Sequence, residues 1–467
     1  MVESYANSVE DKLVDGLSFK LTEGASYINE RKSVTFHPQG SNIYKPGAGT
    51  KLVKIAVAGQ DWLDPTTFRV MFDVVNTPTI ITTNKLRPVS GPWSFFRRLR
   101  LLAGGQLIED IDYYNRVHEM MENLTASDSR DNESVEGFGY KVKEHGPRKD
   151  RNLELNNING VTDRLTVCFK PLRGLLNQNK LIPLTYVQSL SLELELVDNA
   201  LEPLFNVNTT AIKVGIEQDV LNDFTCNNTS TEWQIEQVQV KCDVISLDTQ
   251  LQDSYTELLM DVQEFPIHYT TLTSQYKTIR NQNQPFVNVS RAATRLKSIF
   301  VSFDKDLPKG PPGDPWNDRT SPTRKTWSEF YSPGSSNNTD YYNPRARDGF
   351  EFQVQIGSKL FPDYPIRSHA EAYYQLRKTL GVQSSKVHSF DIRPQEYRDN
   401  RLILGIDTEK SLGASLTGLN TRAGDLMTVR MKYDSRLNSD LYADSIHIVL
   451  HTDNILKIGM TGVSVYY

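Results

Sequence analysis

Apolar and polar residues alternate along much of this chain, and the sharpest alternations predict strands. Leu190, Leu192, Leu194 and Leu196 alternate with Ser and Glu in SLSLELELV, the strongest strand pattern present. Its other face carries charge, so that face is expected to meet water or a polar partner. Phe68, Val70, Phe72 and Val74 alternate with Arg69, Met71 and Asp73, which predicts a strand with one buried face. Asp61 to Thr66, with Pro65, reads as the turn before it. Phe95 to Leu124 changes period within one stretch. Phe96 and the apolar residues at 99, 101 and 102 predict a strand, and Gly104-Gly105 a hairpin turn that needs positive φ. After a second short strand, Asp112 reads as an N-cap. Tyr113, Val117, Met120, Met121 and Leu124 then recur on one helix face.

The same order returns later. Phe350, Phe352, Val354 and Ile356 alternate, Gly357-Ser358 turns the chain, and Leu360-Phe361 makes a short strand that Pro362-Asp363 interrupts. Ser368 then caps a helix from about His369 to Leu380. Two further pairs follow in the same order. Arg164 to Phe169, a loop from Gly174 to Lys180 and the strand Leu190 to Val197 match Arg401 to Ile406, a loop with Gly413, Gly418 and Asn420, and the strand Thr428 to Tyr433. Trp233-Gln234-Ile235 running into Val238 to Leu247 matches Ser445 to Ile448 running into Ile455 to Val465. The offset shrinks from 254 residues (96 to 350) through 237 (165 to 402) to 213 (233 to 446), as loops of unequal length require. We read this as a duplicated all-β unit.

The remaining segments complete the layout. Residues 1–27 read as an arm with a short helix near Val9 to Leu17. Strands are expected at Ser33 to Phe36 and Leu52 to Ala58, and residues 125–163 as a long polar surface excursion. Ser254 to Asp261 reads as a linking helix, so the first unit is placed at 28–255 and the second at 256–467. The second unit opens with Phe265 to Ile279 and Leu296 to Phe303. Residues 304–349, rich in Pro, Gly, Ser and Asn, form a projecting loop packed by Trp316, Trp327, Phe330, Tyr331, Tyr341 and Tyr342. About eight strands per unit with uneven connections suit Greek-key sandwiches, and two tandem eight-stranded antiparallel jelly rolls fit best.

Composition narrows the function. The chain has 467 residues, too long for one core, and its 21 Tyr and 19 Phe suit strands. The net charge is −5, and the first 34 residues carry six acidic and four basic side chains. That balance does not suit direct binding of nucleic acid. Arg97, Arg98 and Arg100 read as the wet face of a strand, and the basic run from Lys141 to Arg151 as a polar loop. Three cysteines, Cys168, Cys226 and Cys242, give no pairing pattern for a disulfide framework. The first residues have neither the basic nor the apolar region of a secretion signal, and no 18-residue apolar run spans a membrane.

Candidate chemistry is sparse. His447 and His451, four apart, could share a face of one strand, but no third ligand is indicated, so they read as surface or satisfied core histidines. Glu109, Asp110 and Asp112 could hold Ca²⁺ or form an acidic helix start favoured by the macrodipole; the second reading is preferred. Asp304 and Asp306 organise no nucleophile, and no phosphate-loop, nucleophile-elbow or zinc-helix motif occurs. No catalytic, cofactor or metal residue is assigned. The exposed aromatics of 316–342 could stack on sugars, although they more often pin a loop or a subunit contact.

Three stretches carry a family resemblance: FFRRLRLLAGGQLIEDIDYYNRVHEMM, FKPLRGLLNQNKLIPL followed by SLSLELELV, and DSIHIVLHTDNILKIGMTGVSVYY. Together with their order they resemble the double jelly-roll major capsid proteins of small DNA viruses and mobile elements. The nearest group is the polinton-like viruses, with adintoviruses, virophages and nucleocytoplasmic large DNA viruses further away. The resemblance covers about residues 30–467. It implies a homotrimer that forms a pseudo-hexameric capsomer, and capsomers that tile an icosahedral virion shell assembled inside a cell. Its implied partners are neighbouring capsomers, a penton protein at the vertices and minor or cement proteins, with an internal membrane left open. The N-terminal arm would lie on the inner side, and loops such as 304–349 would form outer towers. The competing expectations are a carbohydrate-binding tandem β-sandwich of fibre or lectin type, and a tandem jelly-roll hydrolase, which would need an acid/base pair in one cleft.

Overall fold

The structure, a computed structural model, describes residues 27–47, 51–77, 85–86, 88, 90–125, 135–138, 155–158, 161–162, 164–200, 202–204, 230, 232–261, 264–304, 330–333, 350–381, 392, 397–398, 401–411, 416–422, 426–433, 439, 442–460 and 462–467. The expected arm helix lies outside them, as does the projecting loop apart from Asp304 and Phe330 to Pro333.

The first half contributes β1 (Ile28–Phe36), β2 (Ile43–Tyr44), β3 (Leu52–Val57), β4 (Trp62–Asn76), β5 (Lys85–Leu86), β6 (Phe96–Ala103), β7 (Gln106–Ile111) and helix α1 (Tyr114–Asn123). It continues with β8 (Leu155–Ile158), β9 (Val161–Thr162), β10 (Arg164–Phe169), β11 (Ile182–Pro183), β12 (Leu190–Leu196) and β13 (Trp233–Leu247). Helix α2 (Thr249–Met260) follows. The second half contributes β14 (Phe265–Thr278), β15 (Phe286–Val289), β16 (Leu296–Asp304), β17 (Phe350–Ile356), β18 (Lys359–Ile366) and helix α3 (His369–Thr379). It ends with β19 (Leu404–Asp407), β20 (Met427–Tyr433), β21 (Ser445–Gly459) and β22 (Gly462–Tyr466).

Strand pairing makes the duplication explicit. One sheet of the first half runs β1-β13-β4-β10 and the facing one β3-β12-β6-β7. The second half repeats both orders as β14-β21-β16-β19 and β15-β20-β17-β18. In each half the helix follows the fourth strand of the second sheet. All these pairings are antiparallel. The fold is therefore a double jelly roll, and the pairs expected from sequence are β6 with β17, β10 with β19, β12 with β20 and β13 with β21. Each roll has an aromatic core. In the first, Phe72 meets Phe95, Phe96 and Phe169 edge-on at 6.4, 5.3 and 6.3 Å. Burying each such ring stabilises by about 1.5–3 kcal/mol.

Several expectations are corrected, each for a local reason. Asp61 to Thr66 is not a turn: β4 starts at Trp62, and Pro65 sits where the β4–β13 register shifts. A bulge tolerates the missing N–H of proline. Asp64 there accepts from Thr66 N–H at 3.0 Å, and Asp243 N–H donates to Thr67 Oγ1 at 2.8 Å. Pro362-Asp363 likewise does not end β18, which runs on past a register shift opposite Phe352 and Val354. Ile455 to Val465 is not one strand, because the chain turns between Gly459 and Gly462 to form the hairpin β21–β22. The linking helix begins earlier than expected, at Thr249, where Asp248 accepts from Gln250 N–H at 3.3 Å. The polar excursion holds β8 and β9, which join β5 in a small sheet, and it buries Phe138 against Phe95 at 5.9 Å.

Two polar readings also change. The charged face of β12 is paired rather than bare: Glu193 takes Arg100 at 2.9 Å and Lys54 at 3.4 Å from the strands on either side. Asp112 is not the N-cap of α1. That position is Tyr113, held at φ 48°, and Asp112 accepts from its N–H at 3.0 Å. Ser368 does cap α3, accepting from Glu371 N–H at 3.2 Å while Glu371 accepts from Arg367 N–H at 2.7 Å. The two form a reciprocal cap.

Candidate functional site: the seam between the rolls

Among the described residues, a set of buried polar side chains lies where the two rolls meet. The first roll presents β7, α1 and the turn Arg173-Gly174. The second presents the outer face of its β14-β21-β16-β19 sheet. Tyr269 Oη donates to the Ile108 carbonyl at 3.2 Å, Ser274 Oγ to the Asp112 carbonyl, and Gly174 N–H to the Thr270 carbonyl at 2.8 Å. Tyr113 stacks on Tyr276 at 5.0 Å.

Helix α1 explains the seam. Its apolar side, Val117, Met120 and Met121, enters the first core as the periodicity predicts. Yet all ten of its residues are buried. Arg116 crosses into the second roll, reaching Asp304 at 2.5 Å, the Phe303 carbonyl at 3.3 Å and Ser302 Oγ at 3.4 Å. Its guanidinium also lies 4.9 Å from the ring of Phe330, which carries the end of the projecting loop into the fold. On other sides, Asn115 donates to Glu202 at 2.9 Å, and Ser90 donates to Glu119.

The acidic cluster is dispersed into three separate roles. Asp110 accepts from two guanidinium nitrogens of Arg98, Nε at 2.7 Å and Nη2 at 2.8 Å. Asp112 serves Tyr113. Glu109 points into the seam, where it accepts from Leu175 N–H and, at 3.5 Å, from Thr271 Oγ1. Burial pushes its carboxyl up to about 8, and those two donors pull the other way. Gly174 makes room for it. At φ 89° this position favours glycine, and a Cβ there would land on the Glu109 carboxylate. Arg173 beside it is also left-handed, at φ 42°.

His447 and His451 share a face of β21, as their spacing predicted, but that face is sealed by the first roll. His451 meets Ser298 Oγ at 3.2 Å and Arg173 at 3.1 Å. His447 lies edge-on to Tyr113 at 6.1 Å and has no hydrogen-bond partner among the described residues. Burial holds both imidazoles well below their ordinary value, with Arg116 adding to it at His447, and Arg173 and Lys297 at His451. A second Ser–His pair, Ser332 Oγ to His369 Nε2 at 2.9 Å, is buried at both ends and ties the end of the projecting loop to α3. Among the described residues no three His, Cys, Asp or Glu side chains gather to hold a metal. No described helix is long and apolar enough to cross a membrane. Cys168 and Cys242 are free, and burial pushes their thiols up to about 11 and about 12. Trp316, Trp327, Tyr341, Tyr342, Asp306 and Cys226 lie outside the described residues.

Sequence reasoning missed Arg116, Arg173 and Gly174 as seam residues. Arg116 stands one step from the apolar stripe of its helix and offered no local signal. The positive-φ demand of FKPLRGLL was the available signal for Gly174.

No protein-family model matches the chain, and no curated protein matches its sequence. Solved structures do. PBCV-1 VP54, fitted into a reconstruction of the virophage Sputnik, aligns with a TM-score of 0.58 at 14% identity, covering 96% of this chain and 100% of the other. A chain from the cryo-EM structure of the Sputnik virophage gives 0.59 at 9% identity, over 97% and 91%. The Faustovirus major capsid protein gives 0.58 at 9% identity, over 97% and 94%. The fold is thus the double jelly roll of viral major capsid proteins, shared over nearly the whole chain.

Proposed function

We propose that this chain is a major capsid protein of a DNA virus, with a structural and not an enzymatic role. Three copies form a pseudo-hexameric capsomer, and capsomers tile an icosahedral virion shell. The observation that carries the reading is the pair of rolls with identical strand order, aligned at nearly full length with capsid structures. The seam supports it. Its buried polar groups join one roll to the other, as a capsomer subunit requires.

The remaining assignments follow from the same reading. The division falls at 255/256, inside α2, with residues 1–27 as an arm on the inner side and 304–349 as a tower loop. Neighbouring capsomers, a vertex protein and minor capsid proteins are its partners, and neither cofactor nor metal takes part. A mildly acidic chain leaves genome charge to other components.

Native mass measurement with negative-stain imaging tests this. A stable species near three times 53.1 kDa with a hexagonal outline is expected. A chain that stays at 53.1 kDa at every concentration and salt overturns it.

A further inference from the structure

The hydrogen bonds of the seam fit its histidines in one protonation state only. Arg173 Nη1 lies 3.1 Å from His451 Nε2, and a guanidinium can only donate, so that ring nitrogen presents its lone pair. The ring proton then sits on Nδ1 and is donated to Ser298 Oγ at 3.2 Å. A second proton, at Nε2, would set N–H against N–H and one cation against another. Lys297 of β16 adds to the repulsion. The acids on that side are already engaged: Glu409 and Asp453 face Lys297 at 3.1 and 3.8 Å, and Glu109 bonds Leu175 N–H and Thr271.

His447, four residues earlier on β21, lies against the rings of Tyr113 and Tyr276 and feels the charge of Arg116. Both its nitrogens are buried and unbonded among the described residues. Asp304, the acid at that end, is held by Arg116 and faces Tyr276 as well. Each histidine of the second roll thus meets an arginine of the first. Arg173 reaches its partner from a backbone held at φ 42°, which a residue with a side chain adopts at a cost, so parting the rolls also releases that turn.

We propose that the seam is an acid-operated release: protonation of His447 and His451 sets each against an arginine of the other roll, and the two rolls part while each stays folded. The switch lies within one chain and goes beyond the capsomer reading. In a shell of such chains, entry into an acidic compartment would loosen every subunit at once.

Opening changes the protonation of three groups. Burial holds both histidines below 6.5 in the closed seam, so each takes up a proton when the seam opens. Glu109 opposes them, because its carboxyl, pushed from 4.5 up to about 8 in the closed seam, gives up its proton on opening. Between pH 6.5 and 4.5 two protons are gained and one is lost, so acid favours the open form about tenfold per pH unit.

Small-angle scattering, far-UV circular dichroism and native mass of the full chain, followed together as the pH is lowered, test this. The expected result is a radius of gyration that grows reversibly below 6.5 at constant mass, with the β-sheet spectrum unchanged. In His447→Phe or His451→Gln alone, one proton gained balances one lost, so the growth between 6.5 and 4.5 should vanish. Glu109→Gln removes the opposing carboxyl and should steepen the response to about a hundredfold per pH unit. Growth that both single histidine variants retain overturns the switch, as does growth that takes the sheet spectrum with it. Wild-type and Glu109→Gln chains that both stay compact at pH 4.5 overturn it too. A size change that only tracks a fall in mass overturns the switch and leaves the capsomer reading standing.

Discussion

Arg116 of α1 and Asp304 at the end of β16 meet at 2.5 Å, with 3% and 20% of their side chains exposed, and so tie one jelly roll to the other. The nitrogen that meets Asp304, Nη2, also reaches Ser302 Oγ and the Phe303 carbonyl, and the planar group lies over the ring of Phe330. Removing one partner of a buried pair leaves the other charge poorly compensated. Arg116→Leu is therefore expected to cost about 3 kcal/mol, read as a lower denaturant midpoint. Calorimetry should then resolve two transitions where the wild type has one, as the rolls uncouple. Arg116→Lys restores the charge but not the planar group over the Phe330 ring, so it should recover only part of the loss. A Leu variant as stable as wild type would mean the pair does not hold the seam.

Gly174 faces two demands at once, a φ of 89° and the nearness of the Glu109 carboxylate. Gly174→Ala should cost about 2 kcal/mol or more, combining left-handed strain with displacement of a buried acid. Adding Glu109→Ala removes the collision but not the strain. The double variant should thus lose less than the sum of the single ones. Strict additivity in urea unfolding would show that the two residues do not share space.

Ser368→Ala offers a contrast away from the seam. It deletes the side-chain acceptor for Glu371 N–H, which costs about 1 kcal/mol at a helix start. Because α3 lies on the open face of the second roll, the loss should stay local. Amide exchange in the first turn of α3 should quicken, while amides of β21 keep their protection. Equal quickening in both would contradict the local role.

The repeat itself was legible because strand periodicity survives duplication: Phe96 and Phe350, or Leu190 and Met427, begin equivalent strands. The core was legible for the same reason. What escaped was anything set by a register shift or by the other roll. Pro65 and Pro362 look like stops along the chain, and only pairing shows that a bulge absorbs them. Glu109 read as part of an acidic helix start, and Arg116 sits one step from the apolar stripe of its helix. Their burial comes from a sheet more than a hundred residues away, which no local pattern encodes.

The seam also carries opposing proton linkages. The folded state holds the Glu109 proton more tightly than the unfolded chain, its carboxyl rising from 4.5 to about 8 amid Tyr114, Tyr269 and Thr271. A raised carboxyl contributes stability that is lost as pH climbs from about 4.5 through about 8. His447 and His451 act the other way. Facing Arg116, and Arg173 with Lys297, they are held below 6.5, so their contribution is lost as pH falls below that value. Below 6.5 two histidines outweigh one carboxyl, and above it the carboxyl acts alone, so these groups together favour folding most near pH 6.5. Between pH 6.5 and 8 the carboxyl costs about 2 kcal/mol. Glu109→Gln, neutral at every pH, should flatten that alkaline limb in melting temperatures while leaving the acid limb in place. His451→Gln should do the converse. An alkaline limb that persists in Glu109→Gln would assign it to groups outside the seam.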